Sequence, residues 1–346
     1  MGKDLSVAVV GLGYFSQFHL DAWRALGGVQ LIGLADIDAG RRKWAEDRYK
    51  LLPADNLNEI AVLDPDIIDI VTPPPSHFKM IKALASKNRI LICQKPFCTS
   101  VKEAEEAIAY ARLKKCKLLI HENFRFQPWY RTIKTFLDEG KLGQVYEARY
   151  YLRPGDGRGQ DAYLNRQPAF QTMPRLMIHE TGVHFIDLFQ WMLGDITSAY
   201  ADIRQLNPVI QGEDSGILIM HHSSGAQSIL NGNRLSDHPT DNLRRTMGVM
   251  QIEGEAGTID INGLADITFR AFGSMDVQSL PIDGEVDMDT FGGGCVKALN
   301  AHVIAAANGE RPFENEGHDY LSVIKASEAA YKSAASGTKI YLESEV

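Results

Sequence analysis

The chain has 346 residues, 45% hydrophobic and 23% charged, which is long enough for two domains with cores of their own. Its net charge of −8, with no basic tract, excludes a nucleic-acid footprint, and no apolar run approaches the length of a membrane span. Met1 to Ser6 has no apolar signal core, and Cys93, Cys98, Cys116 and Cys295 form no CxxC pair; a reduced, cytoplasmic protein without a metal site is expected.

The first third alternates short apolar runs with helical patterns. Leu5 to Val10 reads as a strand, followed by Gly11-Leu12-Gly13-Tyr14-Phe15-Ser16 and a helical stretch to about Leu26. Gly11 permits a tight turn and Gly13 a close backbone approach to a pyrophosphate at the helix start, with Ser16 where a third glycine is usual. A second strand, Gln30 to Ala35, ends at Asp36, roughly 20 residues past the glycines, where an acid bonds the adenosine ribose. A carboxylate there accepts from the 2′-hydroxyl of NAD and repels the 2′-phosphate of NADP. Arg41 and Arg42 keep NADP open as the less favoured cofactor.

Asp66 to Val71 reads as the next strand. It ends in Thr72-Pro73-Pro74-Pro75-Ser76-His77, where the prolines are expected to delay any helix until after Pro75. His77 either touches the cofactor or occupies the first helical turn. Ile90 to Cys93 is an apolar run of strand length that stops at Gln94-Lys95-Pro96. Lys95 is thereby expected just past the carboxyl end of a parallel strand, where open α/β sheets bind ligands. Its ammonium can bond a substrate hydroxyl or a developing alkoxide. Ser100 and Glu103 match a capping box before a helix with Val101, Ala104, Ile108 and Ala111 on one face. Lys117 to Ile120 is a further strand, leading to His121-Glu122-Asn123-Phe124-Arg125. The expected fold class is α/β, a doubly wound parallel Rossmann sheet over residues 1–122, joined to an α+β domain with a mostly antiparallel sheet over 123–346.

In that second part, Trp129 to Leu137 is helical in pattern and Val145 to Leu152 a strand. Arg153 to Arg175 reads as a long functional loop in which Tyr163, Arg166, Gln171 and Arg175 are donors suited to a polyol. Leu176 to Leu193 reads as one helix stopped by Gly194. On an unbroken helix His179 and His184 lie roughly 140° apart and cannot share a zinc ion, whereas Glu180 and His184 share a face. Six strands are expected between Ser198 and Leu280, then an acidic, glycine-rich loop from Asp283 to Gly294. Helices over Val296 to Asn308 and Tyr320 to Ala335 and a closing strand, Lys339 to Leu342, complete the chain.

Gly11-Leu12-Gly13 after a strand, Asp36, Thr72-Pro73-Pro74 with His77, Gln94-Lys95-Pro96, and Asn123 with Arg125 together resemble the glucose–fructose oxidoreductase / inositol dehydrogenase / MocA family. The resemblance covers nearly the whole chain. It implies an NAD-dependent dehydrogenase acting on a sugar or polyol. Gly11, Gly13, Phe15, Ser16, Asp36, Arg41, Thr72, Pro73, His77, Gln94, Lys95 and Asn123 would lie along the cofactor. Lys95 and His184 would work on the reacting hydroxyl with Glu180 tuning them, and Tyr163, Arg166 and Gln171 would line the substrate. The family's hallmark is Glu-Lys-Pro, and this chain departs from it with Gln94. Glu180 likewise replaces the aspartate of the family's Asp-x-Gly-x-His. The stretches Glu122 to Tyr130, Leu152 to Gly157 and Gln171 to His184 further resemble the D-apiose dehydrogenases of this family, implying oxidation of D-apiose to its lactone. Other sugar, inositol or dihydrodiol dehydrogenases, or a silent NAD- or sugar-sensing regulator, are the alternatives. No nucleic-acid or membrane partner is implied, and an exposed sheet face would favour a homodimer or homotetramer.

Overall fold

The structure, a computed structural model, describes residues 4–283 and 286–342. Residues 1–3, where a signal core is not expected, and 284–285 of the acidic loop lie outside the described residues. The chain divides into two units, Met1–Glu122 with Val296–Leu321, and Asn123–Cys295 with Ser322–Val346.

The first unit begins β1 (Leu5–Val10), α1 (Ser16–Ala25), β2 (Val29–Ala35), α2 (Ala39–Tyr49), α3 (Leu57–Val62) and β3 (Ile67–Ile70). It continues with α4 (Pro74–Leu84), β4 (Ile90–Gln94), α5 (Val101–Leu113) and β5 (Lys117–His121). The five strands are all parallel, in the order β2-β1-β3-β4-β5, as the strand and helix alternation requires. β3 and β4 are buried along their whole length, which is why neither alternates: apart from Asp69 and Gln94 their residues are apolar on both faces. The order reverses between β1 and β3, so the ends of these two strands flank the crevice where such sheets take ligands.

Two expectations are corrected in this unit. α4 starts at Pro74, not after Pro75. A proline in the first turn lacks an N–H that has no intrahelical acceptor anyway, so Pro73 serves as cap and the helix runs straight from it. On α5 the buried face is Ala104, Ala107 and Ala111, with Ile108 only half-buried. Ser100 caps α5 by accepting from Glu103 N–H (3.2 Å), but Glu103 reaches back to the N–H of Thr99 (2.7 Å) rather than that of Ser100.

The second unit holds α6 (Pro128–Asp138), β6 (Val145–Leu152), a π-helical turn (Met177–Gly182), α7 (Val183–Leu193), β7 (Ile196–Arg204), β8 (Ser215–His222) and β9 (Gln227–Asn233). β10 (Gly248–Gly254), β11 (Gly257–Ile261), β12 (Ile267–Ala271), β13 (Val277–Leu280) and β14 (Ile340–Tyr341) follow. They form one sheet, β13-β12-β11-β10-β6-β9-β8-β7-β14, antiparallel except at β6/β9. β13 was not anticipated; its residues are almost all exposed, so no apolar pattern marks it. One sheet face is buried, with Tyr150 against Phe185 of α7 (ring centroids 4.0 Å apart). The other face presents Tyr151, Tyr200 and Ile217 to solvent. Residues 296–321, expected in the second domain, pack with the first unit. They include most of α8 (Cys295–Ala307) and the start of α9 (Gly317–Ser336). Asn315 is the tie: its carbonyl accepts from Ile120 N–H (2.8 Å) and its side chain donates to Glu122 C=O (2.8 Å) at the end of β5.

Candidate active site

The first unit assembles a glycine turn, an acid and a lysine at the carboxyl ends of its strands. Gly11, with φ +98°, has no room for a side chain: a Cβ would meet Val71 O at 2.6 Å, because β1 and β3 end side by side. Gly13 faces only the Arg41 guanidinium. Phe15 caps α1 without any side-chain bond and packs its ring on Phe18 and His19. Ser16 donates to Gly13 C=O (2.6 Å). α1 carries no acid in its first turn, so its amino-terminal N–H groups have nothing anionic of their own. Asp36 is nearly buried and accepts from Leu12 N–H (2.6 Å) and Asp38 N–H (2.8 Å), which ties the glycine turn to the end of β2. A carboxylate has further lone pairs, so ribose binding stays compatible with these bonds. Arg42 donates to the carbonyl of Asp36 (2.8 Å), and the largely exposed Arg41 lies 3.9 Å from the Asp36 carboxylate. A cradle that a Cβ would fill, an uncapped helix start and an acid at the second strand fit a dinucleotide.

Thr72 and Pro73 precede α4, with Thr72 Oγ1 accepting from Ser76 (2.7 Å). His77 is buried in the first turn, and its Nε2 bonds Thr72 C=O (2.6 Å). Burial pushes His77 down to about 4, against an unfolded value of 6.5. The neutral ring therefore donates to that carbonyl. The sign follows: the folded state refuses a proton that the unfolded chain accepts, so this contribution is intact above pH 6.5 and is lost as pH falls toward about 4. It amounts to about 3 kcal/mol. Urea unfolding at stepped pH is expected to show stability falling below 6.5, and a shallower fall in His77→Gln; identical profiles would refute it.

Lys95 follows β4 and is half-buried, its N–H donating to Gln94 Oε1 (2.7 Å). Gln94 is buried and its amide nitrogen bonds His19 (3.0 Å).

The second unit builds the other catalytic candidates. Asn123 is buried with its Oδ1 unbonded. The next two residues clamp α7: Phe124 stacks on His184 (3.8 Å between centroids, 4° between planes), and Arg125 bonds Asp187 through both carboxylate oxygens (2.8 and 2.5 Å). The His184 ring plane is thus set by a neighbour rather than by its own rotamer alone. Leu176 to Leu193 is not one α-helix as expected. Residues Met177–Gly182 make a π turn in which Val183 N–H returns to Ile178 C=O. Buried Glu213 caps the start of this turn, accepting from the N–H groups of Leu176 (3.2 Å) and Ile178 (2.9 Å) and from Tyr331 OH. The wider turn alters the phase between residues 179, 180 and 184, so the face arithmetic of a regular helix does not carry over.

Glu180, on that turn, accepts from Thr181 Oγ1 (2.5 Å) and lies 3.7 Å from Arg234. Arg234, missed by sequence reasoning, is fully buried. It donates to both oxygens of Asp156 (3.1 and 2.9 Å) and to Thr181 Oγ1 (2.6 Å). Its charge is held because Asp156, Tyr163 and Glu180 outweigh the burial that opposes it. Arg166 (3.1 Å) and, at the limit, Tyr163 (3.4 Å) bond the same Asp156, and Gln171 donates to the carbonyls of Gln160 and Ala162. Arg175 pairs with Glu328 (2.6 Å). Each expected polyol donor of the long loop thus has a partner inside the unit. The loop also has a core of its own: Ala162, Tyr163, Phe170, Leu176 and Ile210. Among the described residues no cluster of His, Cys, Asp or Glu could hold a metal, and no helix is long and apolar enough to cross a membrane.

Comparison with known proteins gives consistent matches. A family model described as GFO/IDH/MocA, an oxidoreductase family with an NAD-binding Rossmann fold, matches residues 5–122, and a GFO/IDH/MocA C-terminal domain model matches residues 130–260. A D-apiose dehydrogenase from Paraburkholderia graminis is 27% identical across 99% of this chain and 91% of its own. One from Rhizobium rhizogenes is 26% identical across 97% of each. The crystal structure of an oxidoreductase from Agrobacterium radiobacter, in complex with NAD+, L-tartaric acid and magnesium, is similar with a TM-score of 0.88 at 25% identity, over 98% of both chains.

Proposed function

The chain belongs to the GFO/IDH/MocA family of NAD-binding oxidoreductases, and from that premise we propose that it oxidises a sugar hydroxyl, with D-apiose, converted at its anomeric carbon to the lactone, as the substrate. The observation that carries this reading is the end-to-end similarity to two D-apiose dehydrogenases. Gly11, Gly13, the start of α1 and Asp36 would hold NAD, which when bound supplies the hydride acceptor for the C–H bond that breaks. His184 takes the hydroxyl proton, and imidazole suits that task near neutral pH. Lys95 donates a hydrogen bond to the substrate and steadies alkoxide character there. Glu180, held by Thr181 and Arg234, tunes the proton acceptor. Self-association through the exposed sheet face belongs to the same proposal.

A panel of pentoses, inositols and other polyols, read at the NADH absorbance with NAD and NADP in parallel, tests the assignment. Faster NADH formation with D-apiose than with any other compound is the expected result. A better inositol or hexose substrate would replace D-apiose. No reduction with any of them, despite bound NAD, would favour a sensing role instead.

A further inference from the structure

In the first unit His19 of α1, Asp69 of β3 and Gln94 of β4 form one buried line that ends on the backbone of Lys95. A backbone N–H can only donate, so the bond from Lys95 N–H places the amide oxygen of Gln94 on that side. The amide nitrogen then faces His19 Nε2 at 3.0 Å, and because it too can only donate, Nε2 presents its lone pair. The ring hydrogen is left on Nδ1, 2.8 Å from Asp69 Oδ2. Trp23 Nε1–H donates to the same oxygen at 2.8 Å.

Among the described residues, the groups that pack on His19 are uncharged. Phe15, from its own helix, packs on the ring. His121 of β5 lies against it (4.0 Å between centroids), and burial pushes His121 down to about 3, so it is neutral. Cys93 of β4, beside Asp69, is pushed well up by burial and stays a thiol. Asn300 of α8, at His121, is uncharged. Asp69 is the one carboxylate on the line; burial pushes it up, but the bonds it receives from His19 and Trp23 outweigh that and hold it below its usual range.

We propose that Asp69, His19 and Gln94 are positioning residues for Lys95. Asp69 orients His19, His19 orients the Gln94 amide, and the amide holds the backbone that carries the ammonium. Glutamine at 94 leaves the line with one ring proton, shared between His19 and Asp69. A glutamate there would need a second proton, since two carboxylates facing an uncharged imidazole in a buried site are strongly unfavourable. The proposal rests on the reading of Lys95 as catalytic.

The test uses the full-length protein saturated with NAD and labelled with 15N-histidine, with the His19 signal identified by its loss in His19→Asn. The expected spectrum has a protonated Nδ1 and a bare Nε2 between about pH 6 and 8. In Gln94→Glu both ring nitrogens are expected to carry protons, and D-apiose turnover should gain an alkaline limb absent from the unsubstituted enzyme. In Gln94→Leu, kcat measured at saturating NAD is expected to fall about 30-fold. A protonated Nε2 in the unsubstituted protein, or unaltered kcat in Gln94→Leu, would overturn the proposal. If Gln94→Leu fails to fold, the ring spectra of the other two proteins still decide. Full turnover in Lys95→Ala, with the expected ring spectra intact, would sink the catalytic reading and leave the buried line standing.

Discussion

Lys95→Ala and His184→Ala are each expected to lower kcat by about 10²- to 10⁴-fold, the range over which positioned acid–base and oxyanion groups act. NAD affinity should change little in either variant. The glycine turn rests on β1 and β3, Asp36 on the end of β2 and the first helix start on α1, and none of these is built from the Lys95 ammonium. Alanine at 184 also removes the ring that Phe124 stacks on, which costs about 1 kcal/mol of packing. His184→Gln keeps part of that surface and separates the two effects. Steady-state NADH formation with D-apiose, set beside calorimetric NAD titration, reads both quantities. Undiminished turnover in both alanine variants would remove these residues from the chemistry.

Arg234→Met should be the most destabilising single change in the second unit, by about 3–5 kcal/mol. Methionine roughly keeps the volume, so the loss isolates charge from packing. The guanidinium is 1% exposed and serves Asp156 and Thr181 directly, with Glu180 close by. Its removal leaves two carboxylates in a site from which water is largely excluded. Arg166→Met provides the contrast. That side chain bonds the same Asp156 but is 26% exposed, so its loss should cost about 1 kcal/mol. Urea midpoints of the two variants, followed by a probe confined to the second unit, check the ranking. Equal losses would show that burial of the arginine does not matter. Because Thr181 and Glu180 lie on the π turn, Arg234→Met should also impair turnover.

Most of the first unit was legible because its signals are local. A parallel strand buried on both faces reads as an apolar run, a turn that must pass the end of the neighbouring strand needs glycine at 11, and an acid after β2 has a set place. The prolines after β3 were misjudged because their effect depends on position in the turn: the same residue that breaks a helix interior is harmless at its start.

The candidate site was legible only as a list of residues. His19, Asp69 and Gln94 are separated by 50 and 25 positions along the chain and share no spacing pattern. Asp69 read as an ordinary member of a strand until its bonds to His19 and Trp23 were seen. Arg234, at the end of a β-strand hairpin, had nothing to set it apart from a solvated arginine. Tyr163, Arg166 and Gln171 carried the right chemistry for a polyol, yet their polar ends are taken up within the loop that bears them.

By itself the amino-acid order determined the strand and helix alternation, the dinucleotide turn and the family, since each depends on residues close together or on a pattern repeated down the chain. Only the tertiary structure decided the π turn at Met177–Gly182, the buried line behind Lys95 and the arginine beneath Glu180. Each of these involves hydrogen bonds between residues far apart in the chain, made because a buried donor or acceptor must find a partner. Which partner it finds depends on packing, and that is written in no local stretch.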